Sequence, residues 1–329
     1  MKTGTTKDLK NEENKSIFKS FMASSQFTLI LGIIVLSVII TIGNPLFLSV
    51  TNLKNILISV AVSGIMVTGL TVAMLADSMD ISQYSLGAFG AMLMGYLLTN
   101  MNVPFWIAVI LVLALGIVCG MFNGLIVTKL GIAPFIGTLG ASYIYRSAAY
   151  IITDSKSIIL KNNVLNTLSL GNTLHIPNTV LVMIVCFVFF YFLLKYTPFG
   201  RMVYAVGGNP KASRLSGIKV TKIKMIAMIL SAVTAVLGGM LNAGQVTAAI
   251  PTQGNGMDLD NVVAVILGGV SIAGGGGHII GTFLGVLFMG ILKNGMTLLN
   301  IQSYYQTLAR GVILILAVYL DILRRKHHK

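Results

Sequence analysis

Charge is what this sequence lacks most. Asp, Glu, Lys and Arg make up 10% of its 329 residues, against about 25% in soluble domains. Such a chain cannot cover a globular surface with solvated groups, which argues against a soluble enzyme or a soluble nucleic-acid-binding domain. Cysteine is nearly absent: Cys119 and Cys186 sit inside apolar runs. They form no disulfide framework and no metal-ligand spacing, and each is expected to pack as a small hydrophobe. No G-x-x-x-x-G-K-[ST] string occurs, so the chain has no phosphate loop with which to hydrolyse ATP. His, Cys and carboxylates nowhere group into a nucleophile or metal constellation. His175 and His278 stand alone and read as loop residues.

What fills the sequence instead is apolar. Hydrophobic residues make up 55% and mean hydropathy is +0.88. Runs of about 17 to 25 apolar residues recur, the length a helix needs to cross a hydrocarbon core. About ten transmembrane helices are expected, near 27–42, 57–76, 84–99, 105–128, 133–153, 179–195, 224–243, 259–273, 278–298 and 304–320. The expected fold class is therefore an all-α polytopic membrane protein. A polar basic N-terminal tail (1–26) precedes a transmembrane domain (27–322), and a basic C-terminal tail (323–329) follows. The first apolar run reads as a retained span rather than a cleavable signal, and no internal repeat is evident.

The formal net charge is +14, and its placement points to membrane topology rather than to nucleic acid. Five lysines precede the first span, seven Lys or Arg lie from Lys195 to Lys224 with no acid among them, and Arg324, Arg325, Lys326 and Lys329 end the chain. The positive-inside rule then places both termini and the 196–223 loop in the cytoplasm. Asp258, Asp260 and the segment 154–178 are expected on the other side.

Within that loop, "GGNPKASRLSGI" carries its own helix signals. Asn209 is a good N-cap, Pro210 suits the first helical position, Ala212 to Leu215 continue the turn, and Gly217 suits the position after the end. A helix so short is marginal alone and needs something to dock against. A plain solvated basic loop is the other reading.

The stretch "TPFGRMVYAVGGNPKASRLSGIKVTKIKM", followed by "NVVAVILGGVSIAGGGGHIIGTFLGVLFMGILKNGMTLLNIQSYYQTLARGVILILAVYLD", resembles the membrane permeases of ribose-type ABC sugar importers. The likeness continues upstream in "NGLIVTKLGIAPFIGTLGASYIYRSAAYIITD" and "NPLFLSVTNLKNIL". It implies a cytoplasmic coupling helix between the sixth and seventh spans, with Gly208, Asn209, Ala212, Arg214, Ser216 and Gly217 docking on separate ABC ATPase subunits. The chain itself would hold no cofactor, ATP and Mg being bound by that ATPase partner. The other implied partners are an extracytoplasmic sugar-binding protein and a second permease copy, a homodimer being favoured over a heterodimer. The location implied is the prokaryotic cytoplasmic membrane. Ribose is the default cargo, with galactose, xylose, arabinose, allose or the autoinducer-2 furanose as relatives' cargoes. In "DSMDISQYS", Asp80 and Ser82 fit the family's Gly-Ile-Asp-Leu-Ser-Val-Gly-Ser pattern, whereas Gln83 varies it and Tyr84 replaces a glycine. A bulky Tyr84 bears on whether two identical copies can pair.

Polar residues at membrane depth cost free energy unless paired or wetted. Asp80, Ser82, Gln83, Asn123, Asn242 and Gln245 are the candidate substrate pathway. For Asp80 the alternatives are holding a pathway loop, binding substrate hydroxyls, capping a helix, or ion coupling in a self-sufficient secondary transporter. Arg146 is expected to have a buried partner, and Lys293 and Arg310 to snorkel to headgroups. The Gly-rich run 268–281 reads either as an unwound stretch lining a cavity or as close packing and a tight turn; Gly116, Gly120 and Gly124 read as close packing.

Overall fold

The computed structural model describes residues 25–161 and 163–327. The expected N-terminal tail lies almost entirely outside the described residues. Among the described residues thirteen α-helices dominate: α1 (Ser25–Gly43), α2 (Val50–Leu75), α3 (Gln83–Thr99), α4 (Phe105–Thr128), α5 (Pro134–Ile151), α6 (Asn163–Leu170), α7 (Asn178–Tyr196), α8 (Pro198–Gly208), α9 (Pro210–Leu215), α10 (Val220–Gln245), α11 (Asp260–Leu267), α12 (Ile279–Leu298) and α13 (Ser303–His327). Residues 323–327 thus continue the last helix. Two two-residue pairings complete the fold: β1 (Ile158–Ile159) with β4 (Ala248–Ala249), and β2 (Asn172–Thr173) with β3 (Ile176–Pro177), both antiparallel.

Among the described residues seven helices, α1, α2, α4, α7, α10, α12 and α13, are long and apolar enough to cross a membrane. Their starts carry local signals: Ser49 accepts from the Asn52 amide at the head of α2, and proline occupies the first turn of α5 and α8. The expected span at 259–273 needs correction. Its helix, α11, has eight residues, about 12 Å, less than half of a hydrocarbon core. Glycine-rich turns replace the rest.

Long α10 is the central post, and small residues let its neighbours close on it. A Cβ on Gly120 of α4 would lie 2.5 Å from Ile229 Cα; Gly116 meets Val236 and Gly124 meets Met225, so α4 runs antiparallel to α10. This is the close packing expected of that glycine triplet. Gly69 meets Leu230 while Gly238 meets Val62, which makes α2 antiparallel too. Gly87 against Gly239 and Gly95 against Ala249 make α3 parallel.

These contacts fix depth. Gln83, the first residue of α3, bonds Ser231, which lies about 17 Å along α10, near its middle. Asn261, at the start of α11, bonds Gln83. Two helices therefore begin beside the middle of α10, each after an irregular stretch, and point to opposite faces; α3 runs about 25 Å from there and α11 about 12 Å. Gly281 meets Gly268 and Gly285 meets Ala264, so α12 returns antiparallel to α11. The series α2, α3, α4, α5 is repeated by α10, α11, α12, α13 in the inverted sense, a relation with no counterpart in sequence self-similarity. Asp260, next to Asn261, is correspondingly near the middle of α10.

Candidate functional site

Asp80 is buried in a closed polar network. Its Oδ1 accepts from the Ser82 amide (3.0 Å) and hydroxyl (2.6 Å), and its Oδ2 accepts from the Ser231 hydroxyl at 2.8 Å. Asn123 donates to Ser82 Oγ at 2.9 Å and accepts from the Tyr145 hydroxyl at 2.7 Å. Gln83 donates to the Met66 carbonyl at 2.8 Å and receives Asn261 at 2.9 Å. Six helices, α2, α3, α4, α5, α10 and α11, are tied by these bonds. Asp80, Ser82, Gln83 and Asn123 are each at most 1% exposed. Asp80 holds the entry loop of α3 through its bond to the Ser82 amide, while the residue at the head of that helix, Ser82, makes no side-chain cap bond. Of the other two, Gln245 donates to Thr179 across to α7 at 3.0 Å, and Asn242 is half-buried on α10. Sequence reasoning missed Ser231, Tyr145 and Asn261, which are ordinary polar residues until chain folding brings them here.

Arg146 has the buried partners expected: it donates to the carbonyls of Pro251 (2.9 Å) and Gln253 (2.7 Å). Arg310 corrects its expectation. It does not reach for headgroups but pairs with Asp260 at 3.0 Å. That pair, Tyr84, Asn261, Lys293 and Gln306 border a cavity of about 100 Å³ between α2, α11, α12 and α13. Tyr84 packs on Gly254 of its own chain, so two of the departures from the family pattern, Gln83 and Tyr84, face the irregular stretch before α11 or its first turn.

The third region is the face carrying α9. Asn209 Oδ1 accepts from the Ala212 amide at 2.9 Å. Behind it, Gly217 (φ +83) donates to Arg214 at 3.1 Å and Ile218 to Ser213 at 3.0 Å, the paired bonds of a Schellman end. Every cap proposed from the sequence is in place. Gly208, Asn209, Ala212, Arg214, Ser216 and Gly217 are exposed, and Leu215 is 91% exposed.

Behind α9 the Gly-rich run folds as a tight turn. The Gly275 amide donates to the Leu75 carbonyl at 2.9 Å, and the Tyr204 hydroxyl donates to the Gly277 carbonyl at 3.0 Å. Burial raises the pKa of Tyr204 and keeps this donor protonated. A Cβ on Gly275 (φ +71) would lie 2.4 Å from Gly208 N. Lys224 grips Asp77 at 2.9 Å, joining the start of α10 to the loop after α2. The turn thus connects the end of α8, which leads into α9, with the ends of α2 and α11.

An all-α polytopic architecture with two helices that meet near mid-depth after irregular backbone fits the class of membrane transport proteins. Residues 52–318 match the family described as "Branched-chain amino acid transport system / permease component", and the chain belongs to that family. It is 37% identical to the ribose import permease protein of Bacillus subtilis (strain 168) over 318 residues, covering 96% of this chain and 98% of that one. Against the ribose import permease protein of Escherichia coli (strain K12) it is 37% identical over 300 residues, covering 89% and 92%. Against the L-arabinose transport system permease protein of Escherichia coli (strain K12) it is 32% identical over 312 residues, covering 95% of each. No solved structure matches the chain.

Proposed function

We propose that this chain is the membrane permease subunit of an ATP-binding cassette importer carrying a monosaccharide, ribose first and arabinose next. The carrying observation is α9, a short helix with both ends capped and Leu215 presented outward, together with near full-length similarity to ribose and arabinose permeases. On this reading α9 is the coupling helix and docks on a separate ATPase subunit that binds ATP and Mg. A binding protein delivers sugar to the opposite face, and two copies of the chain enclose the path. Ten passes are favoured, counting the two broken ones, and both termini are then cytoplasmic; the seven basic residues from Lys195 to Lys224 support that orientation. Tyr84 is no obstacle to a homodimer, because it packs within its own chain. The polar network around Asp80 is assigned to holding the broken pass open in one geometry. A secondary transporter coupled through Asp80 is disfavoured, since that carboxylate already accepts from three donors and does not border the cavity at Asp260 and Arg310.

The test is uptake of labelled ribose and arabinose by proteoliposomes holding this chain, its ATPase and its binding protein. Import should require ATP inside and persist with a protonophore and a sodium ionophore present. Import abolished by the ionophores, or indifferent to ATP, would overturn the reading. Recovering both of two differently tagged copies in one active complex is the expected result for the homodimer.

A further inference from the structure

We infer that the cavity at Asp260 and Arg310 is a binding station for a neutral polyhydroxylated molecule on the translocation path. This rests on the transport reading above and names a place for it. Three charged side chains, Asp260, Lys293 and Arg310, border one space of about 100 Å³ inside segments that are otherwise apolar. That is room for several water molecules. An ion pair taken from water gains little over apolar packing of the same volume, so stability does not account for the Asp260–Arg310 pair. Lys293 adds a second cation against a single carboxylate. Such a site repels cations through Lys293 and Arg310 and anions through Asp260, while the carboxylate, guanidinium and Tyr84 hydroxyl offer acceptors and donors side by side. Sugar hydroxyls, which both donate and accept, match that mixture.

Position supports the same assignment. Asp260 and Asn261 form the first turn of α11, and the other end of this eight-residue helix enters the Gly-rich turn that bonds Leu75 and Tyr204 behind α9. A station at one end of α11 is therefore joined by a rigid element of about 12 Å to the face where the ATPase docks. Weak binding suffices there, because a path must release what it holds.

The complete importer in proteoliposomes provides the test. In a Cys119→Ala, Cys186→Ala background, Ser63→Cys places a thiol on the cavity wall. A small, uncharged, water-soluble thiol reagent should label this introduced thiol, and ribose with the binding protein should slow labelling at least about threefold. Asp260→Asn and Arg310→Gln should lower sugar carried per ATP hydrolysed about tenfold, as expected for one lost charge-assisted hydrogen bond, and Asp260→Glu should restore most of it. A merely structural pair would instead lower complex yield and leave that ratio unchanged. A Ser63→Cys importer that stays unlabelled beside a labelled Thr252→Cys control, or labelling indifferent to sugar with unchanged ratios, overturns the proposal. If the unmutated importer carries neither ribose nor arabinose, the proposed function falls and the ligand with it, whereas labelling of the Ser63→Cys variant still reports a wet cavity.

Discussion

The helices α3 and α11 start at the same depth and touch through Gln83 and Asn261, yet their surroundings differ in kind. The start of α3 is sealed: Asp80, Ser82, Asn123 and Ser231 satisfy one another with at most 1% exposure. The start of α11 borders open volume, and Asp260 and Arg310 keep 23% and 27% of their side-chain surface accessible. Depth and polarity are thus shared, and only solvation separates them. A polar residue deep in a membrane helix marks a path when water can reach it and marks structure when its bonds are already filled.

The largest expected effect comes from breaking the sealed side. Asp80→Leu leaves the Ser82 and Ser231 hydroxyls without their acceptor and should cost about 2–6 kcal/mol, at about 1–3 for each buried unsatisfied group. Thermal unfolding of the detergent-purified complex should show a large fall in midpoint or loss of folded protein. An unchanged midpoint would mean that the network is not what holds the broken pass.

Next in size is the turn that serves both regions. Gly275→Val combines a left-handed backbone with a clash against Gly208, and should cost about 2 kcal/mol or more, read by the same midpoint. Gly217→Val is smaller in stability. Its Cβ would meet nothing within 4 Å, so only backbone strain of about 1–2 kcal/mol remains. Because that strain opens the end of α9, stimulation of the ATPase and sugar uptake should fall sharply while the folded complex is still recovered. Full stimulation would remove α9 from the docking surface. Smallest is Lys293→Met at the wetted side, where the midpoint should move by less than about 0.5 kcal/mol equivalent. A large destabilisation would show that the cavity is as structural as the network.

Much of the fold was legible because a bilayer leaves few options: apolar runs of spanning length become helices, and basic loops share a face. The capping of α9 was legible residue by residue, since Asn209, Pro210 and Gly217 act on their immediate neighbours. The break in 259–273 was not. "NVVAVILGGVSIAGGGG" is equally apolar as a span or as a half-helix and a turn, and the outcome depends on how closely Gly268 approaches Gly281. Distant pairings were also hidden. Ser231 lies 151 residues from Asp80 and Arg310 fifty from Asp260, and no local period encodes such contacts. The inverted order of α2–α5 and α10–α13 leaves no trace in the letters because packing needs matching shapes, not matching residues.

Hydrogen–deuterium exchange on the intact, unmutated complex tests the contrast between the two helix starts most directly. The peptide spanning Asp80 to Leu86 should stay protected over hours, whereas that spanning Gly254 to Asp260, with Asn255 and Gly256 exposed, should exchange within minutes and slow when ribose and the binding protein are added. Equal protection of both peptides, or faster exchange at Asp80 than at Asp260, would contradict the assignment of structure to one and passage to the other.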